Sequence, residues 1–231
     1  MSPRALDAII FDFDGVIADS ERLHLRAYQD VLAGESLALS ESDYYARYLG
    51  YDDVGVFRTL ARDHGVELDE ARLGDLIARK GARYDALAAQ GEMLFPGAAD
   101  FIRAAAAAVP VAIASGALTH EIEEVLDRAG LRPLFPVIVG ADQTERSKPN
   151  PDPYLEAFAR LQIAAGRALE PRRSVAIEDS KWGLQSARDA GLRTVGVTNT
   201  YPADELADAA ELIRPGLHAL DLDTLDRLCE A

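Results

Sequence analysis

The chain is organised around residues 8–16, which read AIIFDFDGV, an apolar run that ends in two aspartates and a glycine. Residues i and i+2 of a strand share a face, so Asp12 and Asp14 point toward one spot while Phe13 points away. Two carboxylates that converge there repel each other unless a cation, a shared proton or a compensated substrate lies between them. The segment predicts a buried strand with a charged carboxyl end, although an acidic loop would show the same letters.

Length and composition limit the class of protein. The 231 residues are 48% hydrophobic, enough for a large core and for a second, inserted domain. A net charge of -15 disfavours binding to nucleic acid or to anionic membranes, because either partner requires a basic face. No apolar run approaches the roughly 18 residues of a membrane span, and the N-terminal segment lacks a signal-peptide core. Cys229 is the single cysteine, so no intrachain disulfide can form, and we expect a cytoplasmic protein. We also expect a monomer.

Residues 1–16 and 93–231 show the alternation of strands and helices that is typical of an α/β protein. Short apolar runs lie at 109–114, 136–139, 174–177 and 193–197, and helix-spaced apolar residues lie between them at 121–129, 151–161 and 182–190. This order predicts a parallel sheet with helices on both faces, whose ligands bind at the carboxyl ends of the strands.

Residues 17–92 contain no strand-like run. Their amphipathic stretches, at 21–32, 41–49, 54–64 and 69–89, predict a helical insert. Its polar or flexible joints, at 18–20 and 90–92, suit a lid that closes over the sheet edge. A static helical annex that only adds surface fits the same pattern.

A hydroxyl and a glycine follow the predicted strand at 109–114. Ser115 can donate to a phosphate oxygen, and Gly116 lets the backbone approach a ligand. Ser115 as the N-cap of the next helix is the structural alternative. The residues around it lack the glycines of G-x-S-x-G, which disfavours a serine hydrolase.

Lysine is rare in this chain and occurs only at positions 80, 148 and 181. Lys148 lies in SKPNPDP at 147–153, where proline fixes the local backbone and aims the side chain. An ammonium group is compact enough to lie between a carboxylate and a phosphoryl oxygen. A solvated loop lysine is the alternative.

A second acidic pair, Glu178 and Asp179, follows the predicted strand at 174–177. Helix capping by Asp179 or Ser180 explains only part of this pattern. Together with Asp12 and Asp14, the pair supplies four carboxylates, a set of oxygen ligands that suits Mg²⁺. The four histidines show no spacing typical of zinc ligands, and no glycine-rich nucleotide motif follows a strand.

Four segments, in this order, resemble the motifs of the haloacid dehalogenase-like hydrolases: DFDGV at 12–16, Ser115, SKP at 147–149 and EDS at 178–180. Within that family, DSE at 19–21, His24 and RKGARY at 79–84 resemble the branch of β-phosphoglucomutases and sugar-phosphate phosphatases. The resemblance covers the whole chain. It implies a Rossmann-like α/β catalytic core at 1–16 and 93–231, with an inserted helical cap domain at 17–92.

The resemblance also implies roles for the residues at the strand ends. Asp12 would attack the substrate phosphorus to form an aspartyl-phosphate, and Asp14 would serve as general acid and base. Mg²⁺ would be held by Asp12, by the backbone carbonyl of Asp14, by Asp179 and, directly or through water, by Glu178. The transferring oxygens would be bound by Ser115, Gly116 and Lys148.

The activity implied is Mg²⁺-dependent hydrolysis of a small phosphorylated metabolite, a sugar phosphate above all. An aspartate at position 14 disfavours the dehalogenase and phosphonate-cleaving branches of the family. His24, Lys80 and Arg83 in the insert would contribute to substrate choice, unless they are structural helix residues.

Two alternatives differ in chemistry. A phosphomutase of the β-phosphoglucomutase type would carry basic residues on either side of Gly50, where this chain has Leu49 and Asp53. A phosphoryl-accepting signalling module would also use Mg²⁺, clustered acids, a hydroxyl and a lysine. The helical insert and Asp14 argue against that module, and turnover of a sugar phosphate would exclude it.

Overall fold

The chain folds into two compact units. A computed structural model describes residues 4–35, 37–48, 51, 53–89 and 93–230. The sheet unit consists of Met1–Asp19 and Leu94–Ala231, and the helical unit consists of Ser20–Met93. The predicted fold class, an α/β core interrupted by a helical domain, is confirmed.

The sheet unit contains the strands and six of the helices. Its strands are β1 (Ala8–Phe11), β2 (Val111–Ala114), β3 (Val137–Val139), β4 (Ser174–Glu178), β5 (Arg193–Val197) and β6 (Leu212–Arg214). Its helices are α5 (Ala98–Ala108), α6 (Thr119–Arg128), α7 (Asp152–Ala165), α8 (Lys181–Asp189), α9 (Ala203–Leu206) and α10 (Leu222–Glu230). Single 3₁₀ turns lie at Arg132–Leu134, Ala141–Gln143, Pro171–Arg173 and Leu217–Ala219.

The six strands form one parallel sheet in the order β3-β2-β1-β4-β5-β6. Strand β1 lies between β2 and β4, with Phe11 in register with Ile113 on one side and with Ile177 on the other. Since parallel strands present their carboxyl ends at one edge, the residues that follow β1, β2 and β4 meet there.

Both faces of the sheet are covered, which explains why the strands are apolar throughout rather than alternating. Ile9 and Phe11 pack into the core on one face. Ala8 and Ile10 pack on the other face, against Tyr154 of α7 and other buried residues. The central strand is therefore fixed by packing on both sides, and its carboxyl end has a defined position.

The helical unit has its own core. Its helices are α1 (Ser20–Leu32), α2 (Glu41–Asp43), α3 (Asp53–Asp63) and α4 (Glu70–Ala88), and a π-helical turn at Tyr44–Tyr48 follows α2. Its core includes Tyr28 of α1, Phe57 of α3 and Leu76 of α4. Helix α4 begins after Asp69, whose side chain accepts a hydrogen bond from the backbone N–H of Arg72.

The structure differs from the sequence prediction at the end of the chain, where β6 and α10 were not expected. Strand β6 has three half-buried residues, too few for a periodic pattern. None of the helices in the described parts of the chain has the length and the apolar character that crossing a membrane requires.

Candidate active site

Asp12 and Lys148 meet at the carboxyl edge of the sheet. Asp12 directly follows β1, is buried, and donates its backbone N–H to the carbonyl of Ile177 at 2.9 Å. The Lys148 Nζ donates to Asp12 Oδ1 at 2.7 Å and to the Ala114 carbonyl at 2.9 Å. Lys148 is therefore held between the ends of β1 and β2 and is not a solvated loop lysine.

Glu178, the last residue of β4, completes this contact and has no exposed surface. Its Oε1 accepts hydrogen bonds from Lys148 Nζ at 2.6 Å and from the Tyr154 hydroxyl at 3.0 Å. Its Oε2 accepts from the backbone N–H of Asp179 at 3.1 Å, and from the N–H and hydroxyl of Ser180. The carboxylate is thus fixed in one orientation by donors from three segments.

Two glycines make room for the acidic side chains. A Cβ atom at Gly183, in the first turn of α8, would lie 1.8 Å from Glu178 Oε1. A Cβ atom at Gly15 would lie 1.9 Å from Asp179 Oδ2, and Gly15 has a φ of +75°, which favours glycine. Neither position accepts a side chain unless the neighbouring carboxylate moves.

The carboxylates of Asp12, Glu178 and Asp179 form one buried group, in which one oxygen of each lies within 4.8 Å of the others. Burial and the charge of Glu178 raise the pKa of Asp12 above its ordinary value, although Lys148 acts against this. The same two causes raise the pKa of Asp179 to about 7. Burial acts to lower the pKa of Lys148, but the charges of Asp12 and Glu178 outweigh it and raise that pKa.

This group fits a divalent cation. Three carboxylates face a single ammonium, so negative charge is in excess at a buried position where each charge is poorly solvated. The donors are all hard oxygen atoms, which suit Mg²⁺ better than zinc. A bound divalent cation would balance the charge and favour the ionised forms of Asp12 and Asp179.

Asp14 is not a member of that group. Strand β1 ends at Phe11, and the chain then turns through Gly15, so the alternation of a strand does not extend to Asp14. Asp14 instead forms an isolated bridge with Ala18 in this turn and is half-buried. Of the four carboxylates singled out in the sequence, the structure thus brings together three.

Ser115 and Gly116 follow β2 at the same edge of the sheet. Ser115 is buried, donates its backbone N–H to Val139 at 2.9 Å, and accepts at Oγ from the Ala117 N–H at 3.1 Å. It is not a helix N-cap, because α6 begins at Thr119 after Leu118. Gly116 is exposed, and a Cβ atom there would meet no atom within 4 Å.

The predicted specificity residues lie in the helical unit. Lys80 Nζ donates to Asp53 Oδ1 at 2.7 Å and to His24 Nδ1 at 2.8 Å. Arg83 pairs with Asp30 at 2.7 Å. Leu49, named in the comparison with phosphomutases, lies outside the described residues, as do Gly50 and the predicted joint at 90–92.

Comparisons with known proteins identify the family. A family model described as haloacid dehalogenase-like hydrolase matches residues 6–191. The chain belongs to the haloacid dehalogenase-like hydrolases. Protein CbbY of Rhodobacter capsulatus is 31% identical over 230 residues, which cover 96% of this chain and 99% of that protein. Hexitol phosphatase B of Escherichia coli (strain K12) is 30% identical over 204 residues, 85% of each chain.

A solved structure agrees with this assignment. A crystal structure of a CbbY variant from Rhodobacter sphaeroides, in complex with xylulose-1,5-bisphosphate, has a TM-score of 0.69 and 29% identity. The match covers 93% of this chain and 96% of that one. The resemblance to the sugar-phosphate phosphatase branch of the haloacid dehalogenase-like hydrolases is thereby confirmed, as is the predicted class of enzyme, a phosphatase.

Sequence reasoning missed two residues that shape this haloacid dehalogenase-like site. Tyr154 is completely buried, donates to Glu178, and has its ring centroid 5.0 Å from Lys148 Nζ. In the sequence it cannot be distinguished from a core aromatic of α7. The sequence gives only a weak indication of the role of Gly183: a glycine follows the acidic pair by one helical turn, at a position where a residue of high helix propensity is expected.

Proposed function

We propose that this chain is a Mg²⁺-dependent phosphatase that hydrolyses a small sugar or polyol phosphate through an aspartyl-phosphate at Asp12. One observation carries the proposal: Asp12, Glu178 and Asp179 share a buried edge of the sheet with Lys148. Two strand ends, those of β1 and β4, and the loop that precedes α7 bring these groups to one place, which a structural salt bridge does not require.

Asp12 is the proposed nucleophile. Attack requires its ionised form, and burial disfavours that form, as the raised pKa of Asp12 shows for the metal-free protein. The ammonium of Lys148, 2.7 Å away, favours ionisation. Since Lys148 occupies only Oδ1 among the described hydrogen bonds, Oδ2 is the oxygen we assign to attack.

Asp14 is the proposed general acid and base. It would protonate the leaving oxygen and later remove a proton from the hydrolytic water, a role that contributes roughly 10²- to 10⁴-fold. Asp14 lies two residues beyond Asp12, in the turn through Gly15, and is not a member of the group of three carboxylates.

Mg²⁺ would be held by Asp12, Asp179 and the backbone carbonyl of Asp14, with Glu178 as a direct or water-mediated ligand. When bound, the ion supplies positive charge that reduces repulsion between the nucleophile and the phosphate dianion. Five hydrogen bonds from protein groups already hold the Glu178 carboxylate. We therefore assign Glu178 mainly to positioning the Lys148 ammonium.

Ser115, Gly116 and Lys148 would bind the phosphoryl oxygens. In the described hydrogen bonds the Ser115 hydroxyl oxygen accepts from the Ala117 N–H, and its own proton would be the one donated to a phosphoryl oxygen. Gly116 exposes its backbone N–H without a side chain in the way. Such donors stabilise the negative charge of the transition state of phosphoryl transfer, because they are already in position before the reaction begins.

The substrate class is inferred from the relatives, one named a hexitol phosphatase and one crystallised with a sugar bisphosphate. The test is a panel of sugar and polyol phosphates incubated with the protein and Mg²⁺, with release of free phosphate as the readout. We expect turnover that EDTA abolishes and that Asp12→Asn reduces at least about 10³-fold.

The matched control is Asp127→Asn, a surface position on α6, which should retain full activity. Full activity in Asp12→Asn, or in excess chelator, would refute the proposal. Conversion of one sugar phosphate to an isomer faster than phosphate appears would instead indicate a phosphomutase.

A further inference from the structure

The loop after β5 reaches across the end of β4 to the turn that follows β1. In the sheet, β4 separates β5 from β1. The side-chain amide of Asn199, two residues beyond β5, nevertheless donates to the carbonyl of Gly15 at 2.8 Å. The start of the loop is fixed by β6, because Thr198 donates its backbone N–H to the Arg214 carbonyl at 3.0 Å. The loop therefore connects two strands that are not neighbours, at the carboxyl edge of the sheet unit.

Asn199 holds the backbone next to the Asp14 carbonyl. The Gly15 N–H donates to the Ala18 carbonyl at 3.0 Å, and the Gly15 carbonyl accepts from Asn199. Because a peptide unit is planar, the bond to Ala18 also fixes the plane that contains the Asp14 carbonyl. The Asn199 amide itself packs closely, since a Cβ atom at Gly216 would lie 3.2 Å from its Oδ1. The two peptide units around Gly15 are therefore held from both sides.

Thr200, the next residue of the loop, holds the Asp179 carboxylate. Its hydroxyl donates a hydrogen bond to the side chain of Asp179, which is buried. A Cβ atom at Gly15 would lie 2.8 Å from Thr200 Oγ1 and 1.9 Å from Asp179 Oδ2. Both side chains thus occupy the space beside Gly15 that a side chain would fill. A hydrogen bond to a buried carboxylate restricts the orientation of that carboxylate.

The far end of the loop packs against α8, the helix that follows the acidic pair. The Tyr201 ring meets the Trp182 ring edge-on, with the centroids 6.2 Å apart. Lys181 Nζ lies 4.5 Å from the centroid of the same Trp182 ring. Asparagine and threonine side chains in turns usually bond to their own backbone. Here Asn199 and Thr200 instead reach the two segments that we assign to the metal, from a loop that is fixed at both ends.

We propose that Asn199 and Thr200 are positioning residues of the cation site, which hold the Asp14 carbonyl and the Asp179 carboxylate in the orientations that bind a divalent cation. Neither side chain is assigned as a metal ligand or as a contact of the phosphoryl group. Side chains that orient metal ligands typically contribute about 10- to 100-fold to metal affinity. The inference rests on the Mg²⁺ site of the proposed function and concerns the affinity of that site.

The test measures metal affinity in the absence of substrate. The full chain is titrated with Mn²⁺, which takes the same oxygen ligands as Mg²⁺, and electron paramagnetic resonance of the free ion gives the dissociation constant. Displacement by Mg²⁺ then gives the constant for Mg²⁺. Thr200→Val, which removes the hydroxyl and keeps the shape, and Asn199→Leu, which removes the amide donor, should each raise both constants about tenfold or more. Thr200→Ser, which keeps the hydroxyl, should raise them less than about threefold.

The matched control is Thr194→Val, the same change near the amino end of β5. The Thr194 hydroxyl is buried and donates to the Ala209 carbonyl at 2.9 Å, so its loss should lower stability without changing metal affinity. Unchanged affinity in Thr200→Val or Asn199→Leu, or an equal loss in Thr194→Val, would overturn the inference.

The same experiment separates this inference from the proposed function. A lack of any Mn²⁺ site that Mg²⁺ displaces in the unmodified protein would overturn the inference and the proposed metal dependence together. Weakened Mn²⁺ binding in both loop variants, with no phosphate release from any sugar phosphate by the unmodified protein, would support the inference and refute the phosphatase function.

Discussion

Replacing Lys148 by methionine removes the ammonium that holds the acidic group together while keeping a side chain of similar length. Lys148 Nζ lies 2.7 Å from Asp12, 2.6 Å from Glu178 and 2.9 Å from the Ala114 carbonyl. Its side chain is 14% exposed, so water replaces little of this interaction. The variant leaves three buried carboxylates without a cation.

The magnitude follows from the burial of the pair. Removing one partner of a buried ion pair costs about 3–5 kcal/mol, because the other charge stays desolvated. We expect the metal-free variant to lose that much free energy of unfolding at pH 8. Mg²⁺ should stabilise the variant more than the unmodified protein, since the cation meets one more uncompensated negative charge. Activity should nevertheless fall roughly 10²- to 10³-fold, because a donor to the transferring oxygens is lost.

The assay is urea denaturation of the variant and the unmodified protein, each in EDTA and in saturating Mg²⁺, followed by circular dichroism. Lys181→Met, an exposed lysine at the start of α8, is the matched control and should behave like the unmodified protein. A loss below about 1 kcal/mol in EDTA, or equal stabilisation of both proteins by Mg²⁺, would mean that Lys148 does not compensate the charge of the buried carboxylates.

Three further predictions address the same edge of the sheet. Gly183→Ala should lower activity at least about 10²-fold, because the added Cβ atom displaces the Glu178 carboxylate. The control Gly74→Ala, at a helix position with open space, should stabilise the protein by about 0.5–1 kcal/mol. Equal activities of the Gly183→Ala and Gly74→Ala variants would contradict this prediction. Tyr154→Phe should raise the Mg²⁺ concentration for half-maximal activity about threefold to tenfold, because four other donors still hold Glu178; an unchanged requirement would exclude a positioning role. An unfolded aspartate has a pKa near 3.9, whereas the pKa of Asp179 in the folded, metal-free protein is about 7, so between these values the folded state binds one more proton than the unfolded state. Denaturation in EDTA should therefore show a free energy of unfolding that falls as the pH rises from about 5 to about 7. A free energy of unfolding that rises over this range would contradict the raised pKa of Asp179.

The sheet and its carboxyl edge were predictable from sequence because topology constrains them strongly. Parallel strands covered on both faces are continuously apolar, so β1, β2, β4 and β5 stand out as short runs. Once they are parallel, Asp12, Ser115 and Glu178 must lie at one edge. The residues that follow the strands are therefore sufficient to predict where the site lies.

What remained hidden depends on three-dimensional packing. Tyr154 faces Glu178 only because α7 lies against the sheet at one particular rotation, and a buried aromatic is the ordinary content of such a helix. Strand β6 is three residues long and half-buried, so it carries no periodic signal. Asp53 and Lys80 are 27 positions apart, and the sequence does not show that α3 and α4 bring them together.

The role of Asp12 as the group that receives the phosphoryl is tested most directly by trapping. Protein turning over a phosphorylated substrate in Mg²⁺ is quenched in acid and reduced with borohydride, which converts an aspartyl-phosphate to homoserine. Peptide mass spectrometry should then find homoserine at position 12 and nowhere else. Homoserine at another aspartate, or none while phosphate is released at the full rate, would contradict the account.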